Sequence, residues 1–136
     1  MRAIFGIFFV LILISVTQAA EINLGVALKE LDGSEIAECT KADPVDTRKC
    51  IESTPLTLAR IAIRALASRF QDEANLAPEE QIKRGALATD IFRTPKLDLN
   101  AEQIALIKRL IPKLGMSTVI VYQAMQLLDP PTVAKK

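Results

Sequence analysis

The 136-residue sequence contains no histidine, no tryptophan, two cysteines and six aromatic residues. Without histidine, the chain lacks the commonest general base and the commonest metal ligand of proteins. Three of the aromatic residues lie in an N-terminal apolar run, so a stacking platform for sugars or bases is not expected. Beyond residue 20 the chain carries 16 basic and 16 acidic residues, since Arg2 is the only charged residue before that point. This balance argues against a nucleic-acid partner held by phosphate contacts.

The first twenty residues are typical of a secretory signal peptide. Arg2 gives a positive start, Ala3–Val16 is an uncharged apolar run, and Thr17–Ala20 is an exit of mostly small residues. Cleavage there predicts a mature N-terminus at Ala20 or Glu21 and a periplasmic or secreted protein. An uncleaved anchor is the alternative, and only then would the protein contact a membrane, although fourteen apolar residues are short for a hydrocarbon core of ~30 Å. A mis-assigned gene start is a third interpretation.

The two cysteines, Cys39 and Cys50, are eleven positions apart. In an oxidising compartment such an isolated pair predicts one disulfide, the alternative being two unrelated thiols. We expect the bond to join a β-hairpin to the start of a helical body and to close a polar loop over residues 40–54. A zinc site is poorly supported because two thiolates without histidine lack the usual partners.

The remaining pattern predicts an α+β, mainly α fold, in which an N-terminal β-hairpin precedes a four-helix domain. This single globular domain covers residues 21–129, and residues 130–136 form a polar tail. Apolar residues alternate from Ile22 to Leu28, the period of a half-buried strand. Asp32-Gly33 then predicts a two-residue turn, which would place Leu28 opposite Ala37 and Val26 opposite Cys39.

Four segments with helical spacing of apolar residues predict helices over about residues 56–72, 78–92, 100–114 and 118–128. Asn100 and Gln103 have the spacing of a capping box, and Gly115 is a C-terminal stop. Pro112 predicts a kink or a loosened last turn in the third helix. Residues 97–99 are expected to be a short extended connection. The residues predicted to be buried are Ile61, Leu66, Ile104, Ile107, Ile111 and Met125.

No catalytic, cofactor-binding or metal-binding residues can be assigned, and we predict that the protein is not an enzyme. No serine or threonine has a histidine to activate it, and the five glycines form no phosphate-binding loop. Arg60, Arg64 and Arg69 are either a small anion site or a solvated helix face. Tyr122 is a lone phenol, which we expect to be a half-buried core residue. A small hydrolase is a remote third interpretation.

Several short motifs between Leu24 and Leu128 resemble a loose family of small uncharacterised proteins of tailed phages and prophages. They are Leu31-Asp32-Gly33, Pro55–Leu58, Ala65-Leu66, Glu79-Glu80 with Lys83-Arg84, Leu87-Ala88, Leu97, Ala101–Lys108 and Val119–Leu128. The resemblance implies no catalytic residues. The chain departs from the family in its signal-like start and in the segment from Cys39 to Cys50, which argues against a role inside the cell during virion assembly.

These observations together predict a non-enzymatic, exported protein-interaction module whose partner is another protein, with a prophage origin suggested by the resemblance. The alternative is a structural or assembly accessory protein of a phage particle. Neighbouring head and tail genes would favour that alternative.

Overall fold

The computed structural model describes residues 20–129. The predicted signal peptide or anchor, apart from Ala20, and the predicted polar tail lie outside the described residues. Within the described part the chain forms four α-helices, two 3-10 turns and four short strands in two small sheets. The α+β class and the four helices are confirmed, whereas the strands are arranged differently from the prediction.

The elements alternate along the chain rather than separating into a hairpin and a helical half. The helices are α1 (Leu58–Ala67), α2 (Pro78–Arg93), α3 (Ala101–Leu110) and α4 (Thr118–Leu128). The strands are β1 (Ala20–Asn23), β2 (Ala37–Ala42), β3 (Cys50–Pro55) and β4 (Lys96–Leu99). The 3-10 turns are Gln71–Glu73 and Ile111–Leu114.

Local capping signals account for where three of the helices begin. The Thr57 hydroxyl accepts a hydrogen bond from the Arg60 N–H at 3.3 Å at the start of α1. Asn100 and Gln103 exchange side chain-to-backbone hydrogen bonds of 2.9 and 3.0 Å, so the predicted capping box of α3 is confirmed. Ser117 caps α4. Each cap satisfies an N–H group that the first helical turn leaves free.

Two helix ends depart from a regular pattern. The helix α1 ends at Ala67 instead of residue 72, and the chain continues in extended conformation at Ser68 and Phe70. The helix α3 ends at Leu110 and tightens into a 3-10 turn that contains Pro112, as the missing proline N–H requires. Gly115 then adopts a left-handed φ of 68° and stops the helix.

The first predicted strand buries the expected side chains but pairs with a different strand. Ile22, Leu24 and Leu28 are buried, as the alternation predicts. However, β1 pairs antiparallel with β4, with Ile22 opposite Leu97. Residues 97–99 are extended, as predicted, but they belong to a paired strand rather than to a connection alone, and their Leu99 side chain is buried in the same core.

The turn at Asp32-Gly33 forms, but the register is shifted by one residue from the prediction. The Ile36 N–H donates to the Leu28 carbonyl, so Leu28 lies opposite Ile36 rather than Ala37. The cause is a loop with one residue more than predicted, in which Gly33 has a φ of 88° and donates to the Glu30 carbonyl. The Asp32 carboxylate accepts hydrogen bonds from the backbone and hydroxyl of Ser34. The hairpin is short, and the predicted contact of Val26 with Cys39 does not form.

Residues 40–54 are not a loop but most of a second hairpin, in which β2 and β3 pair antiparallel with an irregular register. Most side chains of both strands are exposed, so the segment lacks the apolar alternation by which strands are recognised. The predicted disulfide between Cys39 and Cys50 is present, with a Cα–Cα distance of 5.7 Å. It links the two strands of this hairpin and not, as predicted, a hairpin to the helical body.

The core surrounds α1, which packs against α2, α3 and the second 3-10 turn. Of the residues predicted to be buried, Ile61, Leu66, Ile107 and Ile111 are at most 3% exposed. Ile104 and Met125 are only half-buried at the edge of the core. The helix α4 is tied to the first hairpin because the Gln123 side chain accepts from the Lys29 N–H at 2.9 Å and donates to the Lys29 carbonyl.

Replacing Ile107 by alanine tests the assignment of the α3 face. Ile107 is fully buried, and we expect Ile107→Ala to lower the free energy of unfolding by about 2–5 kcal/mol. Ile51→Ala is the matched control because that isoleucine is 52% exposed on β3, and it should destabilise the protein much less than Ile107→Ala does. Equal effects of the two variants in urea denaturation would show that the face is misassigned.

Reducing the disulfide should loosen the β2–β3 hairpin without dissolving the helices. The bond closes a loop of about twelve residues, for which chain entropy predicts roughly 3 kcal/mol of stabilisation. Because few side chains of this hairpin enter the core, its amides should exchange fastest after reduction while helical circular dichroism is retained. The double variant Cys39→Ser/Cys50→Ser should behave like the reduced protein. Collapse of the helical signal on reduction would contradict this expectation.

Candidate functional site

An open cleft of about 630 Å³ lies between α2 and α3. Both helices pack on α1, and the cleft is the space between their outer faces. One wall comprises residues of α2 from Glu80 to Asp90, and the other comprises α3 and its cap from Asn100 to Arg109. At a rise of 1.5 Å per residue, each wall is about 15 Å long.

The floor of the cleft is apolar and its rim is charged. Ala86 and Leu87 of α2 and Ala105 and Leu106 of α3 line the middle. Ala86 and Ala105 are exposed and small, which leaves the centre of the cleft open. The rim carries two cations and two carboxylates that form no ion pair within residues 20–129, which are Lys83 and Asp90 on α2 and Glu102 and Arg109 on α3.

The two helices run in opposite directions along the cleft. Glu73 contacts both Arg84, in the first half of α2, and Lys113, just beyond the end of α3. The other end of α2 leads within a few residues, through β4, to the start of α3. Lys83 and Arg109 therefore lie at one end of the cleft, and Asp90 and Glu102 lie at the other.

A buried ion-pair network lies behind the basic end. Arg84 is 2% exposed, and its guanidinium donates to both carboxylate oxygens of Glu73 at 2.8 and 2.9 Å. Its Nε lies 3.5 Å from a carboxylate oxygen of Glu80, which lines the cleft. Lys113 lies 3.5 Å from Glu73 and 2.5 Å from Asp72. The network joins the first 3-10 turn to α2 and to the end of α3.

The charges in this network hold one another ionised. The hydrogen bonds from Arg84, together with the positive charges of Arg84 and Lys113, lower the pKa of Glu73 from 4.5 to about 2 against the opposing effect of burial. Hydrogen bonding to Glu73 raises the pKa of Arg84, and hydrogen bonding to Asp72 raises that of Lys113. Glu73 therefore stays ionised beside Arg84 and Lys113.

The arginines of α1 do not form the anion site that the sequence left open. Arg60 lies 3.3 Å from the carboxylate of Glu38 on β2, and Arg64 pairs with the same carboxylate. Arg60 also donates to the Thr54 hydroxyl of β3 at 2.5 Å. These two side chains thus dock the disulfide-closed hairpin onto α1. Arg69 lies apart from them, beside a smaller cavity of about 210 Å³ between α1 and α2.

Sequence reasoning missed the cleft and misplaced one aromatic residue. Tyr122 is 61% exposed rather than half-buried, and its hydroxyl accepts from the Gln126 amide at 2.6 Å. The burial of Arg84 had a detectable signal, because Arg84, Leu87 and Ile91 share one face of α2 and Glu80 precedes Arg84 by four residues. The cysteines predicted to pair do so, on the hairpin and away from the cleft.

Within residues 20–129, no group of three or more acidic or cysteine side chains is arranged to hold a metal ion. In the same part of the chain, each helix is too short or too polar to cross a membrane. Comparison with protein-family models, curated proteins and solved structures gives no match to this chain.

Replacing Glu73 by glutamine should destabilise the protein and remove a pH dependence. The variant leaves the buried Arg84 charge without its bidentate partner, which costs about 3 kcal/mol, the lower end of the usual range because Glu80 stays close. The folded-state pKa of Glu73 is lowered to about 2. The stability that its ionised form contributes is therefore complete above about pH 5 and is lost as the pH falls toward about 2.

Urea denaturation across this acid range measures both effects. The wild-type free energy of unfolding should fall more steeply between about pH 5 and pH 2 than that of Glu73→Gln. Glu30→Gln, which changes an exposed carboxylate, should follow the wild-type curve. Parallel curves for the wild type and Glu73→Gln would show that the Glu73–Arg84 pair does not stabilise the fold.

Proposed function

We propose that this chain is an exported, non-enzymatic protein-interaction module that binds another protein chain in the cleft between α2 and α3. The observation that carries the proposal is the form of this cleft, in which an open apolar floor is bordered by four charged side chains that form no ion pair within residues 20–129. Protein interfaces have this anatomy of an apolar centre and a polar rim. Grooves between helices commonly receive an amphipathic helix, and walls of about 15 Å match about ten residues of one.

The chemistry of the cleft favours binding over catalysis. Its described lining contains no serine, threonine, cysteine or tyrosine, so it offers no side-chain nucleophile of the common kinds. Asn100 and Gln103, its two amides, are already engaged with each other in the capping box. Glu80 faces the buried Arg84. The four rim charges, which form no ion pair in the described part of the chain, suit recognition of a complementary surface.

Two features support an exported location. The Cys39–Cys50 bond crosses an exposed hairpin, and such a bond persists in an oxidising compartment. The other is the order of a positive start, an apolar run and a small-residue exit over the first twenty residues of the sequence, which is typical of a secretory signal peptide. Export and binding in the cleft are tested separately, export by the N-terminus of the purified chain and binding by cross-linking.

Site-specific photo-cross-linking in the native host tests the proposal. Benzoylphenylalanine at Ala105, on the cleft floor, should give a covalent adduct with a protein chain. The same group at Leu31, which is 88% exposed on the first hairpin turn and lies outside the cleft, is the matched control and should give none. Mass spectrometry of the purified chain should show an N-terminus at Ala20 or Glu21. Adducts at neither position, or equal adducts at both, would overturn the binding role, and an intact Met1–Val16 segment would overturn export.

A further inference from the structure

We infer that the occupant of the α2–α3 cleft is a second copy of this chain, related to the first by a two-fold axis through the middle of the cleft. The inference rests on the proposed function and names its partner. It follows from the order of the charges along the two walls.

Apart from Glu80, which faces the buried Arg84, each wall carries one cation and one carboxylate separated by seven residues, Lys83 and Asp90 on α2 and Glu102 and Arg109 on α3. Seven residues are about two helical turns, so both members of a pair project from the same helix face, about 10 Å apart. The midpoints of the two pairs fall between Ala86 and Leu87 and between Ala105 and Leu106. These four midpoint residues are the apolar floor of the cleft.

Because α2 and α3 run in opposite directions, each end of the cleft brings together charges of the same sign from the two walls. One end of the cleft carries Lys83 and Arg109, and the other end carries Asp90 and Glu102. A two-fold axis that lies in the interface, perpendicular to the two helices at the midpoint, exchanges the ends. It therefore brings both cations of each copy against both carboxylates of the other, which is the self-complementarity that an isologous interface requires.

The apolar surface at the midpoint is consistent with this arrangement. Ala86 and Ala105 allow two helix backbones to approach closely, since interaxial distance depends on the side chains at the contact. Ile82, one turn before Ala86 on α2, is 72% exposed in the single chain. A second copy that packs across Ala86 would cover this side chain. The charges beyond residue 20 sum to zero, so no net repulsion opposes association.

Sedimentation equilibrium of the purified exported protein, over about 1 µM to 1 mM, tests the inference. The wild type should form a dimer. Lys83→Glu/Arg109→Glu makes both ends acidic, and Asp90→Lys/Glu102→Lys makes both ends basic. Each variant alone should raise the dimer Kd more than about tenfold, because like charges then meet. The control Arg48→Glu/Lys49→Glu changes the net charge by the same amount as Lys83→Glu/Arg109→Glu, but on the exposed loop of the β2–β3 hairpin. It should leave the dimer Kd unchanged.

Association of the two charge-reversed variants in an equimolar mixture is the decisive measurement. Their charges are complementary, so the mixture should form a heterodimer at least as tightly as the wild type dimerises, which also shows that both variants are folded. A wild type that stays monomeric at every concentration overturns the inference, and so does a dimer that ignores both reversals or a mixture that does not associate. Cross-linking at Ala105 separates this failure from that of the proposed function. An adduct of twice the chain mass supports the second copy, whereas an adduct with a different protein leaves the module intact and refutes self-association.

Discussion

The need to neutralise one buried guanidinium organises much of this fold. Arg84 lies on the inner face of α2 at 2% exposure, where an unpaired charge would be costly. Glu73 meets it with two hydrogen bonds. The helix α1 ends at Ala67, before the end of its apolar pattern at Phe70, and the chain then turns through residues 71–73 to place Glu73 against Arg84. The same carboxylate draws Lys113 and the end of α3 to α2.

The helices were predictable because their signals are local. Thr57, Asn100 with Gln103, and Ser117 cap helices through bonds spanning three residues, and Gly115 ends a turn by its own backbone conformation. Pairing of strands is different, because it depends on residues far apart in the chain. The alternation around Ile22 correctly predicts a strand with one buried face, but nothing near it identifies Leu97 as the partner.

The cysteine spacing correctly predicts a bond but not the structure around it. A polar segment between Cys39 and Cys50 has no apolar face, so its strands are stabilised by backbone pairing, by the disulfide and by the contacts of Glu38 and Thr54 with α1. Apolar periodicity in a sequence indicates which face of an element is buried, and this hairpin buries few of its side chains. The first turn shows a related limit, since Asp32-Gly33 marks a reversal while the loop length, and hence the register, follows from the φ of Gly33.

The cleft could not be predicted from the sequence, because its charge pattern exists only once α2 and α3 lie side by side in opposite directions. Along the chain, Lys83, Asp90, Glu102 and Arg109 are four unremarkable surface charges. The Glu73 network sets the direction of α3 against α2, and that direction turns two separate pairs into one basic and one acidic end. Parallel helices would have placed opposite charges across from each other and cancelled them at both ends. The ion pairs around Glu73 therefore also fix the order of the charges along the cleft.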